Sequence, residues 1–270
     1  LQSAYSSAAE TFPLTLTNGA CSLVGGVTIR PETGATALSI SSASTTATID
    51  INGGSNFIID GRAGGTGTTK ELTIANTSTS GTAVRFINEG STNTLQYVTL
   101  TGVNSGTSSG VILFSTTTGA NGNDNNTIDN CDIRDGATTP TIGVYSLGTN
   151  TSVSTRNSGN TISNCNIFNF YNSTSTASGG YGVNLSTGST DWTITGNSFY
   201  QTASRTSFGS GATVSGINIA TLSGNNFTVS NNFLGGTAPS CGGTAYTVSS
   251  TGSVIFRGIY ISVDLTTASN

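Results

Sequence analysis

Four aspartates crowd one stretch of the sequence, Asp124, Asp129, Asp132 and Asp135, with Arg134 among them. Carboxylates are hard oxygen ligands, so Asp129 and Asp132 are candidates to hold Ca2+ while Arg134 takes a proton from a sugar carbon. That is the chemistry of a polysaccharide lyase. The same residues alternate with Ile128, Cys131 and Ile133, which puts the apolar side chains inward and the aspartates outward. One repeat further on, Ser163 and Asn166 take the aspartates' places, and after them Thr195 and Ser198. No carboxylate recurs to build a metal site, so the aspartates read as solvated outward positions. The run NGNDNN at 121–126 has a single carboxylate and reads as a polar turn rather than a calcium loop. No catalytic residue, metal or cofactor is assigned.

The cysteines fall into two kinds. Cys131 and Cys165 occupy the same inward register one repeat apart, where Val98 stands one repeat earlier, and read as small core residues in contact. Cys21 and Cys241 lie in turn-like GACSL and APSCGGT near opposite ends of the chain. Too far apart to pair within one rod, they are candidates for an intermolecular disulfide between successive subunits; two unrelated cysteines is the alternative. Trp192, Tyr181, Tyr200 and Tyr246 are candidates to stack on sugars, or else packing anchors.

Composition closes off much other chemistry. The chain has no histidine, which removes Ser-His-Asp and Cys-His nucleophile systems. Eight scattered Lys and Arg cannot neutralise a nucleic-acid backbone or bind an anionic membrane surface. Apolar runs fall far short of the roughly 20 residues that span a bilayer, so neither nucleic acid nor membrane insertion is expected. With 7% charged residues and 36 glycines among 270, long amphipathic helices lack material for their wet face. An all-β fold remains.

The elements that must position these side chains are repeats. One phrase runs NFIIDG (56–61), NTLQYVTL (93–100), NTIDNCDI (126–133), NTISNCNI (160–167), WTITGNSF (192–199) and FTVSNNFL (227–234). A second interleaves with it: AVRFIN (83–88), GVILFS (110–115), GVYSL (143–147), GVNLS (182–186), GINIA (216–220) and GIYIS (258–262). Both alternate apolar and polar residues, the period of a strand with one buried face. Repeated every 32–36 residues, they predict a right-handed parallel β-helix of about eight coils, a rod roughly 35–40 Å long at the usual strand spacing. A single domain is expected over 1–270, with degenerate coils at 1–50, regular coils at 51–262 and a tail at 263–270. VTIR (27–30) and TIDI (48–51) read as strands of the degenerate coils. Stacked like charges repel, whereas Thr, Ser and Asn ladders exchange hydrogen bonds, which accounts for the composition. The turn position (Gly61, Tyr97, Asn130, Asn164, Gly196, Asn231) favours residues that tolerate positive φ, with Tyr97 the exception. TxT-like fragments such as TLT and TIT are not expected to share one register, which counts against an ice-binding threonine array.

The string ATIDINGGSNFIIDGRAGGTGTTKELTIANTSTSGTAVRFIN (47–88), followed by NTISNCNIFNF and DWTITGNSFYQT, resembles right-handed parallel β-helix proteins secreted or displayed by Bacteroidetes, many of them type IX secretion cargo. The resemblance implies export to the cell surface or beyond. It leaves function open, since such proteins include lyases, adhesins and others. The C-terminal sorting domain usual in such exported proteins is not seen in this sequence, nor is a signal peptide.

No amphipathic helix is seen at either end, which fits either a fragment of a longer β-helix or an uncapped solenoid that exposes complementary edges. On the latter reading the expected role is a non-catalytic extracellular structural subunit that stacks head to tail with itself into a filament, tube or surface layer. The alternatives are a surface adhesin that binds glycans and a lyase-like enzyme.

Overall fold

The computed structural model describes residues 1–18, 26–174, 178–207 and 211–263. Over these residues the chain is a parallel β-helix with three long parallel sheets. Sheet one stacks eight strands: Leu14–Leu16, Ala47–Asn52, Thr82–Ile87, Ile112–Phe114, Ile142–Ser146, Ser178–Leu185, Ala212–Thr221 and Val254–Val263. Sheet two stacks seven, from Val27–Ile29 to Thr228–Ser230, and sheet three another seven, from Leu38–Ser42 to Phe233–Leu234. The described residues thus form seven complete three-strand coils and the first strand of an eighth, slightly fewer than the eight coils the repeat length predicts. Among the described residues helix is confined to two 3-10 turns, Ser7–Ala9 and Ala63–Gly65.

In-register pairing turns each inward position into a column. In sheet two Ile59, Leu95, Ile128, Ile162, Ile194 and Val229 lie one above another. In sheet three the column is Ile40, Ile74, Leu100, Ile133, Ile167, Phe199 and Leu234. Most of these side chains are fully buried, and each contributes about 1.5–3 kcal/mol by leaving water. Facing them in sheet one is a glycine column, Gly143, Gly182 and Gly216. A Cβ on Gly182 would stand 2.4 Å from the Phe199 ring, and one on Gly216 2.3 Å from Leu234. The missing side chains are the space those larger residues fill.

The corners of the coil follow from backbone conformation. Between sheets one and two, every coil from the second to the seventh turns through a left-handed residue: Asn56, Thr92, Asn125, Gly159, Asp191 and Asn226. Between sheets two and three, coils three to seven turn through the left-handed residues Tyr97, Asn130, Asn164, Gly196 and Asn231. The expected turn column is therefore present, Tyr97 included, with one correction: Gly61 has no positive φ. Its glycine is required by close approach instead, because a Cβ there would lie 1.9 Å from the Tyr97 carbonyl oxygen. The chain leaves that corner in the longer loop 62–71 before re-entering sheet three.

The T-x-T fragments keep separate registers, TLT (99–101) in sheet three and TIT (193–195) in sheet two, while single threonines stack, with Thr94, Thr127, Thr161, Thr193 and Thr228 sharing one outward register in sheet two. The neighbouring outward column, Gln96, Asp129, Ser163, Thr195 and Ser230, keeps no single residue type. The first coil is not bare. Residues 1–13 run along the first coil, Leu1 and Ser3 on Arg30 and Glu32 and the Ser7–Ala9 turn beside strand Leu38–Ser42, with the Ser7 hydroxyl accepting from the Ser41 N–H (3.1 Å) and donating to its carbonyl (3.5 Å). An irregular strap of this kind has no apolar periodicity, so a search for a capping helix passes over it.

Candidate functional site

The aspartates sit on the outer faces, each engaged by its neighbours. Asp129 accepts from the Ser163 hydroxyl (2.7 Å), the Asn164 amide (3.0 Å) and the Asn130 amide (2.7 Å). Asp132, across the corner in sheet three, accepts from Lys70 (2.7 Å) and from Asn166 (2.8 Å). Lys70 reaches it from loop 62–71, two coils below. Arg134 lies 3.4 Å from Asp135 and over the Phe168 ring at 5.4 Å. Asp135 also accepts from Asn169 (3.0 Å). Asp124 stands apart at the opposite corner of sheet two, where its carboxylate accepts the Ser158 N–H (2.8 Å). Burial pushes the Asp124 carboxyl up, and Glu89 adds to the rise against backbone hydrogen bonds that oppose it. The structure thus separates the five residues into three environments. Among the described residues, no three His, Cys, Asp or Glu side chains are grouped to hold a metal ion.

The outer face of sheet three carries a row that the sequence motifs did not single out. Arg134, Phe168 and Tyr200 follow one another up the rod, the two rings stacked at 4.7 Å and 7°. Burial, with Asp132 adding to it and Arg134 opposing, pushes the Tyr200 hydroxyl up to about 12. A comparable pair lies one coil corner away, where Arg62 grips Asp60 through two bonds (2.9 and 2.8 Å) and covers the Tyr97 ring at 4.4 Å. Burial alone would raise the Asp60 carboxyl; the hydrogen bonds from Arg62 and Gln96 hold it below its ordinary value instead. The signal available in the sequence was register: Phe168 and Tyr200 are each two residues beyond an outward polar position of the repeat.

The other candidate aromatics divide. Trp192 is fully buried and donates to the Asn157 carbonyl (3.0 Å), edge-on to Phe114. It is a core residue, out of reach of a sugar. Tyr200 is 7% exposed, while Tyr181 and Tyr246 are half-buried. Cys131 and Cys165 are buried free thiols one above the other, with the Cys131 N–H donating to the Cys165 sulfur at 3.4 Å. Cys241 is exposed, and Cys21 lies outside the described residues.

Buried asparagines are the feature sequence reasoning missed. Asn93, Asn126 and Asn160, the first letters of the N-T-L and N-T-I phrases, point into the rod and are at most 1% exposed. Each side-chain oxygen accepts the backbone N–H of the coil before it, at 2.9–3.0 Å from Phe57 through Asn126. Asn197 and Asn232 continue the same device above Cys165.

Among the described residues, the last strand of sheet one leaves its inward columns half-exposed. Strand Val254–Val263 is the last of sheet one among the described residues, and Ile259 and Ile261 on it are 47% and 52% exposed. Beneath them lie Ile217 and Ile219, fully buried. The same two columns begin at Leu14 and Leu16 at the other end of the rod. Among the described residues no helix is long and apolar enough to cross a membrane.

Comparison with protein-family models, curated proteins and solved structures finds no match to this chain. The parallel β-helix rests on the structure itself, and the resemblance to Bacteroidetes secretion cargo gains no support from the comparisons.

Proposed function

We propose that the chain is a non-catalytic structural β-helix of the bacterial cell exterior, a rod that joins further copies of itself end to end. One observation carries the reading. One apolar column runs the length of sheet one from Leu14 to Ile259; a second runs from Leu16 to Ile261, interrupted by buried Ser146, and the last pair stands half-exposed on a ten-residue edge strand. An edge of this length, with no further strand paired to it among the described residues and apolar side chains beside it, is a template for another strand. In-register addition of Leu14–Leu16 from a second copy would place leucine over isoleucine in both columns. Contact of one end with the other is heterologous and propagates into a filament. The resemblance of the repeats to exported β-helix proteins supports the exterior location.

Electron microscopy and sedimentation of the purified protein test this. Rods that lengthen with concentration, and that Ile259→Asp with Ile261→Asp reduces to single units, are the expected result. Dispersed monomers at all concentrations would overturn it.

A second reading, a glycan-binding stalk, rests on the Arg134–Phe168–Tyr200 row beside Lys70 and Asp132. A glycan array with wild type and Phe168→Ala distinguishes it, since end-to-end assembly does not involve Phe168.

A further inference from the structure

We infer that residues 1–13 occupy an assembly edge of their own molecule, and that the last coil of a second copy competes with them for it. The inference rests on the end-to-end reading above. Strand Leu38–Ser42 opens sheet three, and a parallel strand leaves the N–H and C=O of alternate residues facing away from its partner. At Ser41 both outward groups meet one side chain, the Ser7 hydroxyl, which stands in for the strand that a preceding coil would supply.

The strap is held lightly. Its polar contacts to the first coil are that serine, Ser3 on the Glu32 carboxylate (3.0 and 3.3 Å), and Leu1, whose amino group donates to the Arg30 carbonyl (2.5 Å) and whose carbonyl accepts the Glu32 N–H (2.8 Å). Tyr5 and Phe12 rest half-buried against the core, and none of Ser7–Ala9 is buried. A neighbouring β-strand would offer more. The column under the strap begins at Ile40 and ends at Leu234, so the last sheet-three strand of a second copy presents the same kind of residue that each coil presents to the next.

Among the described residues the strap covers sheet three and leaves the first edges of sheets one and two uncovered, with Val27 37% exposed and Leu14 and Leu16 half-buried. Three-sheet stacking therefore requires the strap to leave. A closed strap lowers the apparent affinity for a second copy by the fraction of molecules in which it is open.

The test uses the full chain carrying Tyr5→Ser, Ser7→Ala and Phe12→Ser. Loosening the strap should lower the concentration at which stacks form at least roughly tenfold. A second measurement needs no variant: protease should cut within residues 1–13 readily in wild-type stacks and slowly in wild-type monomers. Unchanged assembly of the triple variant, while Ile259→Asp still abolishes stacking, overturns the strap and leaves end-to-end assembly standing. Equal protease sensitivity in stacks and monomers does the same. No assembly of either chain at any concentration overturns both.

Discussion

The side-chain oxygen of Asn126 accepts two hydrogen bonds from Asn93 in the coil before it, one from the backbone N–H and one from the side-chain amide, both at 3.0 Å. Its own amide nitrogen donates to the Gly90 carbonyl at 2.9 Å. One buried residue therefore closes the polar groups of a corner that has no strand ladder to do so. Asn126→Leu strands at least two of these groups away from water, at about 1–3 kcal/mol each. Urea unfolding should show a loss of about 3 kcal/mol or more. A variant as stable as wild type would mean that water replaces the ladder.

The left-handed corner offers a change of the opposite sign. Thr92 has φ 59° in a column otherwise made of Asn, Gly and Asp. A β-branched residue is strained there, and Thr92→Asn should stabilise by about 1 kcal/mol. Tyr97→Asn makes the same backbone gain at φ 52° but gives up the Arg62 contact, so it should be close to neutral. Equal gains from both would remove the role assigned to Arg62.

Gly182 is held by volume. Alanine would bring a Cβ within 2.4 Å of Phe199 and 2.6 Å of the Gly216 carbonyl oxygen. Overpacking against a ring and a backbone oxygen should cost about 2–3 kcal/mol. Gly182→Ala combined with Phe199→Leu should recover part of it, which thermal unfolding of the three chains would show.

High pH should find Tyr200. Its hydroxyl is raised by burial and by Asp132 from an ordinary 10 to about 12. The folded state binds this proton more tightly than the unfolded chain. Its contribution is therefore complete below pH 10 and is lost as pH climbs from 10 through about 12. Tyr200→Phe should flatten the fall in stability over that window, and an unchanged slope in alkaline denaturant titrations would refute the assignment.

The thiols should react very unequally. Burial, then the adjacent Cys131 thiol, pushes Cys165 well above its ordinary value, and both side chains are inside the rod. In the native protein a thiol reagent should modify Cys241 at once and Cys131 and Cys165 only on unfolding. Rapid labelling of either buried thiol would place that coil in frequent local opening.

The strands were readable because alternation within them is a local property. Ile128, Ile133, Ile162 and Ile167 declare their direction through their immediate neighbours. The corner residues do not. Asn126 sits just before a strand and next to left-handed Asn125, so the two-residue period that predicts Ile128 says nothing about which way Asn126 points. Read as turn polarity, it is in fact core. The outward row of Arg134, Phe168 and Tyr200 escaped for a related reason. Its members differ in type and share only a register, which becomes visible once whole coils are aligned. Lys70 reaching Asp132 is less legible still, since loop 62–71 belongs to no repeat.

The continuity of the columns makes length a counted quantity. From Cys131 to the residue before Cys165, the strand positions pair in register with the coil above, while the loops between strands differ in length. Deleting such a unit shortens the rod by one strand spacing, about 4.8 Å, and leaves the inward columns continuous, at the loss of outward contacts such as Lys70 to Asp132. Duplicating it does the reverse. A protein built this way is a ruler whose graduations are coils, and its reach can be reset by whole steps while its cross-section stays fixed.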